Sequence, residues 1–149
     1  MFDHAIGALS GIIAGIFMGL ISMTLFRIGI CKLCIIAIGG GIFTGQLVEL
    51  QPYGLIIAWL THLSLSAAFG ILITIVLNHF GSKYHVLTGA VLLTLIYLAN
   101  IGIIAPLRGT IPDDPEYFDL LLILLYHIFF GSLTSFLIVK YGNKERSYS

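Results

Sequence analysis

Leu55-Ile-Ile-Ala-Trp-Leu-Thr-His-Leu-Ser-Leu-Ser-Ala-Ala-Phe-Gly-Ile-Leu-Ile-Thr-Ile-Val-Leu77 carries a single ionisable side chain, His62. An α-helix rises about 1.5 Å per residue, so about 20 apolar residues cross the roughly 30 Å of bilayer hydrocarbon. This run is long enough. Val86 to Leu107 and Leu120 to Val139 are comparably clean, and Ala5 to Phe26 is a fourth such run. Over the 149 residues, 58% are hydrophobic and 9% charged, against about 25% charged in a soluble domain. No soluble core hides that much apolar surface. The chain therefore reads as all-α, a polytopic membrane bundle forming a single transmembrane domain over residues 1–149. Its helices are expected at about Ala5 to Phe26, Gly54 to Asn78, Tyr84 to Ala105 and Glu116 to Lys140. A cleaved signal peptide begins with a basic region, whereas this chain begins Met1-Phe2-Asp3-His4, so the first run is expected to stay as a permanent helix.

Between the first two runs lies Ile28 to Val48, apolar but interrupted by Gly39-Gly40-Gly41. Glycine is a poor helix former, and irregular backbone at membrane depth survives only under protein cover. The preferred reading makes Cys34 to Val48 a short re-entrant or interfacial helix beside four spans. The alternative is five spans. With four, Lys83, Lys140, Lys144 and Arg146 share one side and Arg27, Lys32 and Arg108 the other. With five, Arg108 is left alone against the remaining six, a better match to the positive-inside rule. Both arrangements put the C-terminus in the cytoplasm, and in both the helices of His62 and His127 run parallel.

Formal charge is zero and the only basic cluster is Lys140, Lys144 and Arg146. Nucleic acid would need a broader basic footprint. The lipid bilayer is the expected main partner. In the polar connection Pro106 to Asp119, Asp114-Pro115-Glu116 reads as N-cap, proline at the first helical position and an acid in the first turn. The spacing of a dedicated calcium loop is missing.

The first helix repeats glycine every fourth residue, at Gly7, Gly11, Gly15 and Gly19. Small residues at this spacing let a second helix approach to backbone contact, which drives association where lipid offers no hydrophobic force. Ala58, His62, Ser66, Gly70 and Thr74 make a matching ladder within the chain, and the competing use of the stripe is a dimer interface. Gly131 and Ser135 continue a similar small-residue line from His127.

His62 and His127 lie at matched depth on parallel helices, and the antiparallel helix between them brings Tyr97 and Asn100 to a similar level. A polar layer in the outer half of the bundle follows. Ionisable groups at that depth are costly and mark functional sites by default. The two imidazoles could ligate haem b as axial ligands; the plainer account is interhelical hydrogen bonding without a cofactor. No mid-membrane acid completes a proton relay. Cys31-Lys-Leu-Cys34 has redox spacing but lacks the βαβ scaffold of a thioredoxin-like site, and no four-ligand metal set is evident. His4, His79 and His85 fall near the other boundary, without a metal. Nor is there a nucleophile with a base, or a phosphate loop.

The order of a Gly-rich first helix, a Gly-broken segment, then Trp59-Leu-Thr-His62 and Tyr126-His127-Ile-Phe-Phe-Gly131, resembles small bacterial four-helix membrane proteins of the YqhR type. That resemblance implies a fold and an inner (cytoplasmic) membrane location, and no activity; the cysteine pair departs from it. The expected function is a non-enzymatic accessory or scaffold protein acting through helix contacts with itself or a larger membrane complex. The alternatives are a haem b electron-transfer subunit and a small-solute or proton transporter.

Overall fold

The computed structural model describes residues 1–45, 48 and 51–142. Gln46, Leu47, Lys144 and Arg146, which entered the reading of the short segment and of the charge balance, lie outside the described residues. Helix α1 spans His4–Arg27, α2 Ile35–Thr44, α3 Pro52–Phe80, α4 His85–Leu107 and α5 Tyr117–Gly142. Four of them, α1, α3, α4 and α5, are long and apolar enough to cross a membrane. The protein is a multi-pass membrane protein built as a helical bundle.

Local chemistry sets the helix ends. The Asp3 carboxylate accepts from the Ala5 N–H at 2.9 Å and caps α1. Phe2 and Asn78 exchange two hydrogen bonds, 2.7 and 3.0 Å, tying the N-terminal segment to the end of α3. Pro52 occupies the first turn of α3, where its missing N–H costs nothing. Gly45, at φ 76°, closes α2 in the left-handed conformation that glycine adopts without strain, and its N–H bonds Gly41 O at 2.8 Å. The triplet Gly39 to Gly41 is thus helical rather than irregular.

The direction of α1 against α3 excludes five crossings. Gly7 faces Gly70 and Thr74, Gly11 faces Ser66, and Gly19 faces Trp59 near the opposite end of α3. The two helices are antiparallel neighbours, whereas a third crossing between them would make them parallel. Helix α2 therefore enters and leaves on one side. Its ends are fixed there: Ser22 Oγ accepts from the Ile35 N–H at 3.0 Å, and Arg108 Nε donates to Ile42 O at 2.9 Å. Six of its residues are buried, among them Ile36 and Ile38, so α2 is tucked into the bundle rather than laid on its surface.

Two further expectations shift. Helix α5 begins at Tyr117, two residues beyond Pro115, so the proposed cap Asp114 does not start it. The acids there are drawn to Lys32 instead: its ammonium pairs with Glu116, and both oxygens of Asp119 accept its backbone N–H at 3.1 and 3.2 Å. Helix α4 runs on to Leu107 through a π-turn, Asn100–Ile104, in which the Ala105 N–H reaches Asn100 O. Pro106 explains it, because a proline ring clashes with the carbonyl four residues back and a widened turn relieves that clash.

Packing divides the bundle into two close pairs. In α1/α3 Gly7 and Gly11 meet the Gly70 and Ser66 backbone directly; in α4/α5 Gly89 meets the Gly131 backbone in the same way, beside the Ser135 hydroxyl. The pairs join through α1 against α5, while α3 and α4 scarcely touch. Leu9, Phe17, Leu60, Leu95 and Leu125 are exposed on the outer faces, where a bilayer covers them.

Candidate functional site: an apolar cavity with two histidines

Where α3 and α4 part, a cavity of about 330 Å³ opens. That lies at the lower end of the roughly 300–1,000 Å³ of small-molecule pockets. Helix α2 supplies Ile38, Gly39 and Ile42; α3 supplies His62, Leu65, Ser66 and Phe69; α4 supplies Leu93, Ile96, Asn100 and Ile104; α5 supplies Ile123, His127 and Phe130. Met18 of α1 closes the back. Nearly all of this wall is hydrocarbon. On the α4 side Ala99 and Ile104 are exposed, so the cavity faces the surrounding bilayer there.

Both histidines sit on this wall and both are buried, His62 at 5% and His127 at 7% exposure. Each is ten residues inside its helix, about 15 Å at the helical rise. Their hydrogen bonds differ in kind. His62 Nε2 lies 2.9 Å from Gly15 O, a bond between α3 and α1. His127 Nδ1 lies 2.8 Å from Ile123 O, one turn back on its own helix. A carbonyl only accepts, so both nitrogens carry the proton. In the neutral rings Nδ1 of His62 and Nε2 of His127 are lone pairs, and neither has a partner among the described residues.

Tyr97 and Asn100 reach the same level, by different routes. The Tyr97 ring stands edge-on to His127, centroids 5.5 Å apart, while its hydroxyl donates to Leu120 O at 3.0 Å rather than to either imidazole. Asn100 opens the π-turn and lines the cavity, and its Oδ1 is buried without a hydrogen-bond partner among the described residues. Insertions of this kind in helices recur at functional sites. Trp59, the only tryptophan, stacks edge-on to His62 at 5.9 Å.

The small-residue positions fall away from the cavity, apart from Ser66. Gly7, Gly11, Gly15, Gly19 and Gly70 form the α1/α3 seam; Gly131 and Ser135 form the α4/α5 seam. Side chains added to Gly11 or Gly70 would run into the facing backbone, so a second chain has no room there. The Ser66 hydroxyl is returned to His62 O at 2.8 Å.

Cys31 and Cys34 are both free and buried, at the N-terminus of α2. Burial, the Asp119 carboxylate and Cys34 push the Cys31 thiol up, so it is held protonated and is a poor nucleophile. Among the described residues no three His, Cys, Asp or Glu side chains converge as metal ligands.

Sequence reading picks out the polar members of this site but not its apolar wall. Phe69, Ile96 and Phe130 carry no signal separating a cavity wall from a packed core. The hint available for the void is Pro106, through the turn it widens. No family model, no curated protein and no solved structure matches the chain.

Proposed function

We propose that this membrane protein is a binding protein that admits a small, mainly apolar molecule from the bilayer into the cavity between α4 and the α2/α3 wall. The carrying observation is one apolar cavity with two buried histidines on its wall and an amide oxygen that has no hydrogen-bond partner among the described residues. Sites of this composition hold ligands by hydrocarbon contact and orient them by a few polar groups. A scaffold role through the glycine stripe is weakened, because that stripe is consumed within the chain. Haem ligation by both histidines asks His62 to surrender the bond from Nε2 to Gly15. Transport is a separate reading that no feature of the cavity favours over binding.

Saturable binding of aminoanthracene, whose fluorescence rises in apolar surroundings, tests the proposal in reconstituted protein. Wild type should bind it at one site. Gly39→Leu should not, since Gly39 lines the cavity and a Cβ there meets none of the described residues within 4 Å, leaving the leucine free to fill the space. Equal binding by both proteins would falsify the assignment of the cavity.

We further propose a bacterial inner-membrane location with both termini in the cytoplasm. Lys83, Lys140, Lys144 and Arg146 then face inwards against Arg27, Lys32 and Arg108 outside. A thiol reagent that cannot cross the membrane should fail to label Asp3→Cys in intact cells; labelling there reverses the orientation.

A further inference from the structure

The polar groups on the cavity wall leave three hydrogen-bond acceptors unpaired among the described residues. Nδ1–H of His127 is turned back to Ile123 O, which leaves Nε2, across the ring, as a lone pair on a side chain that lines the cavity. His62 spends its N–H on Gly15 O and keeps Nδ1 as a lone pair. The buried Oδ1 of Asn100 is a third acceptor without a donor. An acceptor as closed off as Asn100 Oδ1 is expensive to leave unpaired. What all three lack is a proton to share.

We infer that the cavity selects an apolar molecule whose polar end is a hydroxyl, an alcohol or phenol, which donates to His127 Nε2 while its hydrocarbon body fills the space between α3 and α4. This rests on the binding function proposed above and narrows its ligand class. An ether or ketone of the same shape has an oxygen that can only accept, so it can take the Asn100 amide but leaves the His127 Nε2 lone pair unmet. A carboxylate faces the same lone pair with a full charge in hydrocarbon. Of these, the hydroxyl gives His127 Nε2 a proton while its own oxygen remains free to accept from the Asn100 amide.

The test is competition against bound aminoanthracene in reconstituted protein, with decanol and decyl methyl ether as a matched pair, each referred to its concentration in the lipid. Decanol should displace the probe about tenfold more effectively, the effect expected of a buried hydrogen bond made or missed. His127→Phe should still bind the probe and lose the preference; Asn100→Leu should reduce it. Circular dichroism on each variant verifies the fold. Equal displacement by the two competitors, or a preference surviving in His127→Phe, overturns the hydroxyl class while leaving the cavity a binding site. Absence of saturable probe binding in wild type overturns the underlying function instead.

Discussion

Helix α3 has two working faces, and they solve opposite problems. Towards α1 it presents Ser66, Gly70 and Thr74, and the two backbones meet with no space for a methyl group. Towards α4 it presents Leu65 and Phe69, and no helix fills the space in front of them. In water an apolar gap would close through the hydrophobic effect. In lipid that force is absent, so helices stay together only where small residues allow dispersion contact. The α1/α3 and α4/α5 seams are closed because glycines and serines make them so, and the gap stays open because nothing on α3 and α4 does the same.

The sharpest break of that contrast is a side chain in the seam. At Gly11 even a methyl group would overlap the Ser66 carbonyl, and at Gly131 the Gly89 carbonyl. The obstruction is backbone, which cannot swing aside. Gly11→Leu and Gly131→Leu should each lower stability by at least about 3 kcal/mol, at or beyond the upper end for overpacked cores. Detergent-titrated unfolding followed by circular dichroism measures it. Outside both seams, a Cβ at the exposed Gly102 meets none of the described residues within 4 Å, and Gly102→Ala should leave stability unchanged or slightly raised. Comparable losses at Gly11 and Gly102 would mean that the seam is not what holds the helices together.

The seam was legible in the sequence and the gap was not, for a physical reason. Periodicity records which residues are small, and small residues at four-residue spacing have one structural use in a membrane. That spacing singles out Gly7 to Gly19 and their ladder on α3. Apolar length likewise gives the four spans. A cavity is a relation between helices, and Leu65 or Ile96 would look the same against a neighbour or against nothing. The short segment shows the limit of counting charges: the positive-inside tally favours five spans, yet the antiparallel α1/α3 seam permits four. Glu116 misleads in a similar way: read as an acid in the first turn of its own helix, it pairs instead with the Lys32 ammonium of another segment.

The smallest expected effect separates the two histidines by what each one holds together. His62 bonds across the seam to Gly15 O, so His62→Leu removes an interhelical hydrogen bond, while the Gly15 carbonyl keeps its bond within α1. Interhelical hydrogen bonds in membranes average about 0.6 kcal/mol in double-mutant cycles. The loss should be of that order. His127 bonds only within its own helix, to a carbonyl that already accepts from the helical ladder, and its inward nitrogen has no partner to lose. His127→Leu should therefore leave unfolding unchanged, within the precision of the same titration. Because the two bonds share no partner, the double variant should cost no more than the sum of the singles. A large loss at His127, or strong non-additivity, would mean that the imidazoles are bonded to one another as part of the packing and that the open side of α3 is structural after all. The expected pattern, a small cost at His62 and none at His127, leaves the His127 ring without a structural duty at a depth where an ionisable side chain is costly to keep.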